Sequence, residues 1–168
     1  INSNSLGHTA ISSNSNIFYN SSADENNIIH NELDQNSNFV ANGIFTSISK
    51  GGQNISNLDL RGGTVLFEGN DNIRIYGNSK IDAIGIDKFK DHSNGISGDI
   101  VVSSQNGDVS ISGGGDGLTI NSDLANVSFS GQSIDLNAMT IKSKKGVNIS
   151  SKSGDIILDA MMWLKINL

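Results

Sequence analysis

Three histidines are the first residues of this chain whose type could support chemistry. His8, His30 and His92 lie far apart in sequence, and none has a second His or a carboxylate at the spacing that metal ligands need. Solvated loop positions account for them, so the sequence predicts no metal site and no cofactor within one chain. A threefold axis would still gather three copies of one His around an ion, so an axial metal ion stays open.

A glycine-rich run, the serines and the scattered acids are the other candidates. The run Gly113–Gly117 (GGGDG) is similar to one calcium-binding Gly/Asp unit, but that unit must recur to hold calcium and here it occurs once, which favours a corner between strands. No Ser lies in a G-x-S-x-G nucleophile elbow. We expect four of the acids to be solvated, either at corners between strands or on the outward side of a strand: Asp99, Asp108, Asp155 and Asp159. We expect no catalytic residue and no enzymatic activity.

Short strands must position all of these residues. Between residues 98 and 160, pairs of apolar residues recur with one small or polar residue inside each pair, the alternation of a strand with one buried and one wet face. Gly, Asn, Asp, Ser and Lys between the pairs mark turns. The predicted core consists of Ile100, Val102, Val109, Ile111, Leu118, Ile120, Val127, Phe129, Ile134, Leu136, Val147, Ile149, Ile156 and Leu158, with Met139 and Ile141 as an irregular member.

Composition narrows the class further. The chain has 168 residues, of which 36% are apolar and 5% aromatic, and this is poor for a compact globule, so we expect an extended repetitive architecture. The absence of Cys excludes disulfides and thiolate zinc sites. A net charge of −6 argues against nucleic-acid binding. One modest basic patch is predicted to be a wet face that discourages edge pairing: Lys142, Lys144, Lys145 and Lys152.

The pattern divides the chain into two parts. Residues 1–53 are predicted as an irregular, Asn/Ser-rich attachment segment, in which Asp24–Leu33 could hold a helical turn and Asn42-Gly43 indicates a tight hairpin turn. Residues 54–168 are predicted as the β-repeat, beginning at Leu58 and interrupted by a charged loop or junction near residues 87–98.

The spacing of the repeat indicates how many chains build one coil. A single-chain solenoid needs about three strands per coil, and equivalent positions of successive coils should then recur at constant intervals along the sequence. Here the intervals drift, from 27 residues between Ile100 and Val127 to 25 between Val109 and Ile134 and 20 between Val127 and Val147. Because all strands look alike, we expect three identical chains wound about one axis, an all-β, intertwined triple-stranded β-helix whose isolated chain is poorly folded.

The runs GDVSISGGGDGLTI and KKGVNISSKSGDIILDA resemble the triple-stranded β-helix of central spike proteins of contractile injection machines, including phage tail spikes and type VI secretion spikes. The resemblance covers about residues 54–168. It implies a homotrimeric virion or secreted-apparatus protein that sits on a baseplate hub or tail tube and pierces a cell envelope. Two family features are missing, an oligosaccharide-binding-like barrel before the helix and a His-x-His iron site at the apex.

The stretch Met161-Met162-Trp163-Leu164 holds the only Trp and two of the three Met residues. Three interpretations stay open: a plug for the end of the prism, an apolar tip that docks a capping protein, or a chain whose apex lies beyond Leu168.

Two other functions are weighed against the spike. A trimeric phage fibre or adhesin stalk would bind a receptor and would be expected to end in a larger knob. A single-chain β-solenoid would be a surface or ice-binding protein, or a polysaccharide-active enzyme with a groove of recurrent carboxylates or aromatics, and no such line is present in the sequence.

Overall fold

The computed structural model describes residues 10–13, 17–21, 31–33, 38–41, 44–49, 51–83, 98–113, 117–122, 125–159 and 163–166, with residues 10–44 and 163–166 described by their backbone alone. These residues form nineteen strands and no helix, so the all-β prediction is confirmed for the described chain. All strand pairs are parallel and fall into three sheets.

Each sheet collects every third strand of the chain. The first sheet contains, in order, β1 (Ala10–Ser13), β4 (Asn38–Ala41), β7 (Asp59–Gly62), β10 (Lys80–Ala83), β13 (Leu118–Ser122), β16 (Met139–Ser143) and β19 (Trp163–Ile166). The second contains β2 (Ile17–Ser21), β5 (Ile44–Ser49), β8 (Thr64–Gly69), β11 (Ile100–Ser104), β14 (Asn126–Gly131) and β17 (Gly146–Ser151). The third contains β3 (Asn31–Leu33), β6 (Gln53–Ser56), β9 (Ile73–Gly77), β12 (Val109–Gly113), β15 (Ile134–Asn137) and β18 (Ile156–Leu158).

The ladders join successive turns of one chain into a three-sheet coil. Ile100 pairs with Val127, Val109 with Ile134, and Val127 with Val147. The intervals of 27, 25 and 20 residues are therefore the lengths of three turns of the coil, which start at β11, β12 and β14. Uneven intervals are therefore compatible with a coil of one chain, because the strands stay in register while the corners between them absorb the difference in length.

The alternating apolar residues fill the interior of the coil. Ten of the fourteen predicted core residues, from Ile100 to Leu136, are at most 1% exposed, and Met139 and Ile141 are equally buried. The interior also accepts aromatic rings, since Phe45 and Phe67 lie on adjacent coils with ring centroids 5.7 Å apart. Full burial of an aliphatic side chain contributes about 1.5–3 kcal/mol before chain entropy is subtracted. The core is continuous from Phe45 to Ile141.

The N-terminal part differs from its prediction. Strands β1 to β5 continue the three sheets in register, so the described portion of residues 1–53 is regular β-structure. Asn42-Gly43 separates β4 from β5, which lie in different sheets, so the predicted hairpin is wrong. Asn31–Leu33 is a strand, while the rest of the possible helical turn, residues 24–30, lies outside the described residues. The predicted loop near 87–98 also lies outside them, except for Gly98.

Candidate functional site: the corners and the open end of the coil

The sequence predicts no chemistry for the histidines and for the glycine-rich run, and the structure describes them to different extents. His8, His30 and His92 lie outside the described residues. The glycine-rich run joins β12 to β13 and therefore occupies a corner, with Gly117 at a φ of 79° before β13 and residues 114–116 outside the description. Within the described residues no three His, Cys, Asp or Glu side chains converge as a metal site.

Two of the corner aspartates have a structural contact that the sequence interpretation lacks. Asp99 Oδ1 accepts a hydrogen bond of 2.9 Å from the backbone N–H of Asn126, and Asp108 Oδ1 accepts one of 3.0 Å from the backbone N–H of Ser133. Each donor belongs to the following coil. These carboxylates therefore connect adjacent coils at the corners, where the strand ladder is interrupted.

Buried serines connect the coils from the inside. At the end of β11, Ser104 Oγ donates to the carbonyl of Asp71 on the previous coil at 2.7 Å and accepts from the N–H of Gly107 at 2.9 Å. Ser122 donates in the same way to Gly98 and accepts from Ala125. Because a buried polar group without a partner is costly, these hydroxyls fix the path of the chain as it leaves a strand.

These serines were not predicted to contact other coils, although the sequence contains a signal for them. In several strands a serine follows the second apolar residue of the pair by two residues. It therefore occupies a third inward-facing position of the strand, as do Ser104, Ser122, Ser143 and Ser151. The last two also donate to carbonyls of the previous coil, Ala125 for Ser143 and Gln132 for Ser151. An inward serine at a strand end therefore marks a corner.

One shallow groove lies on the outer face of the second sheet. It has a volume of about 560 Å³ and its described lining includes Ile48, Glu68, Asn70, Ser103 and Gln105. Glu68 is the only ionisable side chain in that described lining. The groove offers hydroxyl and amide groups for hydrogen bonding, but its described lining brings no acid and base together.

The C-terminal end of the coil has a different character from the shaft. Ile156 pairs with Ile134 and Leu158 with Leu136, so both occupy inward places, yet they are 46% and 48% exposed. Val147 and Ile149 are only partly buried. Among the described strands, β17, β18 and β19 each have a neighbour on one side only. The inward positions of β18 are therefore more exposed than those of the shaft.

Lysines lie on the last described coils. Lys142, Lys144, Lys145 and Lys152 are all exposed, as the sequence predicts for a wet face. Lys152 Nζ also reaches across a coil and donates to the backbone carbonyl of Gln105 at 2.7 Å. The predicted basic patch is therefore gathered at one end of the coil.

The predicted tip residues are described only in part. Met161 and Met162 lie outside the described residues. Trp163 and Leu164 belong to β19, where Trp163 is in register with Thr140 and Leu164 with the buried Ile141. Leu164 thus shares the register of an inward place.

No protein-family model, no curated protein sequence and no solved structure matches the chain. The described part of the chain contains no helix with the length and hydropathy of a membrane span.

Proposed function

We propose that the protein is a non-enzymatic structural rod, a three-sheet parallel β-helix built by one chain that forms the shaft of a spike or stalk. The observation that carries this proposal is the unbroken core from Phe45 to Ile141, in which each coil is bonded to the next through three ladders. Seven strands in the first sheet, at about 4.8 Å per strand, give a shaft of about 30 Å.

Rigidity follows from how the shaft is bonded. Bending would have to open a strand ladder on one side, and two of the three corners also carry contacts between coils from Asp99, Asp108 and the buried serines. The inward side chains are close packed, and a packed interior has low compressibility. A shaft of this kind transmits force along its axis, which is what a piercing or projecting element needs.

The resemblance in sequence pattern favours a spike at the tip of a contractile tail or injection machine. In that role its partners would be a baseplate hub or tail-tube protein, a tip-capping protein and the target cell envelope. Its location would be the virion tail or the secreted apparatus. A receptor-binding fibre or adhesin stalk is the alternative use of the same shaft.

The number of chains in the shaft separates two versions of this proposal. An intertwined homotrimer would pair the same strands between chains. We favour one chain per shaft, because strands β4 to β16 already have both ladder neighbours within the chain and their inward residues from Phe45 onward already fill the interior.

Light scattering tests this version. In about 1 M NaCl, where the Debye length is about 3 Å, ionic association between chains is screened, and we expect a folded particle of 17.7 kDa. Circular dichroism of the same sample should show β-structure with cooperative thermal unfolding. A particle of three times that mass that resists both salt and detergent would overturn the single-chain shaft and restore the intertwined spike.

A further inference from the structure

The groove on the outer face of the second sheet is a feature that a purely structural shaft does not require. Its volume of about 560 Å³ lies within the range of about 300–1,000 Å³ that small-molecule sites occupy. A row of ladder partners on three successive coils runs along it, with Ile48 beside Glu68 and Glu68 beside Ser103. Strands about 4.8 Å apart make this row about 10 Å long. Asn70 and Gln105 follow directly after β8 and β11 and complete the lining at one side.

The backbone beneath the groove is fixed from inside the coil. Gln53 is fully buried, and its Nε2 donates to the backbone carbonyls of Ser47 at 2.8 Å and of Glu68 at 2.7 Å. Ser47 directly precedes Ile48, so this one carboxamide holds both β5 and β8 where they carry groove residues. A ligand therefore meets a backbone that is already in place, and this lowers the entropic cost of binding.

Several polar groups of the groove are available to a ligand. Neither the Glu68 carboxylate nor the Gln105 carboxamide has a hydrogen bond or an ion pair among the described residues. Ser103 Oγ accepts a hydrogen bond of 2.9 Å from Ser130 Oγ and keeps its own proton for another acceptor. The groove thus offers a carboxylate that only accepts, a hydroxyl that donates, and an amide that does both.

The chemistry of the lining selects a class of ligand. The described lining contains one carboxylate and no Lys or Arg, so it does not attract phosphate or uronate groups. Ile48 is 39% exposed and adds an apolar surface at one end of the row. An acetamido group combines an N–H donor, a carbonyl acceptor and a methyl group. The row offers a partner for each of these, namely the Glu68 carboxylate, the Ser103 hydroxyl and the Ile48 side chain.

We propose that this groove binds an N-acetylated hexosamine unit of a neutral polysaccharide. The acetamido N–H donates to Glu68, the acetamido carbonyl accepts from Ser103, and the methyl group packs on Ile48. Ring hydroxyls of the sugar bond to the Gln105 amide. This inference deepens the proposed function, because it gives the spike or stalk a chemical class of target on a cell surface. It rests on the single-chain shaft, since three coils of one chain build the groove.

Isothermal titration calorimetry with two tetrasaccharides tests the proposal. Chitotetraose and cellotetraose share one backbone and linkage, and each ring carries an acetamido group in the first and a hydroxyl in its place in the second. We expect the folded chain to bind chitotetraose and to bind cellotetraose at least tenfold more weakly. Equal affinity for the two sugars, or no binding of chitotetraose in the millimolar range, would overturn the proposal.

A pair of carboxylate variants locates the ligand. Glu68→Ala removes the acceptor for the acetamido N–H and should weaken chitotetraose binding at least tenfold. Asp135→Ala removes an exposed carboxylate from the outer face of the third sheet and should leave binding unchanged. Both changed side chains are exposed, so circular dichroism and the thermal unfolding midpoint should match those of the original chain. Unaltered binding by Glu68→Ala, or equal loss in both variants, would contradict the site.

An apolar pair tests the contact with the methyl group. Ile48→Ser should weaken chitotetraose binding severalfold and leave the weaker cellotetraose binding as it is, because only the first sugar carries the methyl. Ile157→Ser makes the same change at an exposed isoleucine of β18 and should affect neither sugar. A parallel loss for both sugars in Ile48→Ser would contradict the assigned role of Ile48.

The outcomes separate this proposal from the proposed function. A folded chain of 17.7 kDa that binds neither sugar contradicts the groove site and leaves the shaft intact. A closed trimer that persists in high salt and detergent contradicts the single-chain shaft itself.

Discussion

The middle of the shaft and its C-terminal coil carry the same sequence pattern and have different environments. Ile134 and Leu136 on β15 are fully buried, whereas Ile156 and Leu158, which pair with them on β18, are about half exposed. The alternation of residues thus specifies which side chains turn inward. Burial depends in addition on a neighbouring coil on each side, which the central strands have and β18 lacks among the described strands.

The largest effect should come from a charge placed inside the middle of the shaft. Ile111→Asp buries a carboxylate with no partner among apolar residues, and we expect a loss of about 3–5 kcal/mol or more, enough to unfold the chain. Ser112→Asp, at the next and more exposed residue of β12, is the matched control and should stay folded. Thermal unfolding followed by circular dichroism measures both, and a folded Ile111→Asp protein would contradict the continuous core.

A truncation compares the two regions directly. Leu136→Ala leaves a cavity between coils and should lower the free energy of unfolding by about 2–5 kcal/mol. Leu158→Ala, at the paired place on the open coil, should cost about 1 kcal/mol or less in high salt, because water already reaches half of the side chain. Urea denaturation checks the difference, and equal costs for the two variants would mean that the end is closed in solution.

The smallest effect concerns two equivalent aspartates. Asp108 precedes β12 and bonds the backbone of Ser133 on the next coil, whereas Asp155 stands in the same place before β18. We expect Asp108→Ala to cost about 1 kcal/mol and Asp155→Ala to cost nothing measurable in the single chain. If denaturation shows the opposite order, the carboxylate contacts between coils do not contribute as described.

Much of the fold follows from local pattern. Inward places such as Ile100 and Val102 can be identified because alternation is set by the geometry of a single strand. The partner of each strand cannot be read in this way, because pairing depends on the number of residues from a strand to its partner one coil later, and that number varies from 20 between Val127 and Val147 to 39 between Ile81 and Ile120. Strands recur at constant spacing only where the corners between them are equally long, and a coil does not require corners of equal length.

The predicted hairpin and the predicted irregular N-terminal segment differ from the structure for the same reason. Asn42-Gly43 has the turn chemistry of a hairpin, but the strands on either side of it, β4 and β5, belong to different sheets. The polar, Asn/Ser-rich composition of the N-terminal part suggested irregular structure, although strands as short as Asn31–Leu33 need only one or two inward apolar residues.

The candidate site was predictable only in part. The clustering of lysines between residues 142 and 152 predicts a basic patch. Their position on the last described coils depends on the order of strands in the sheets.

The central claim is that the ladders join coils of one chain, and a disulfide tests it most directly. Ser103 and Ser130 are ladder partners whose hydroxyl oxygens lie 2.9 Å apart, and the chain has no native Cys. Adjacent strands at about 4.8 Å suit the Cα separation of a disulfide, whereas Ser103 and Ser150, two coils apart at about 10 Å, do not. Oxidised at low concentration, Ser103→Cys/Ser130→Cys should form an intramolecular disulfide and run as a single chain without reductant, while Ser103→Cys/Ser150→Cys should not form one. Disulfide-linked oligomers of the first variant would contradict the single-chain coil.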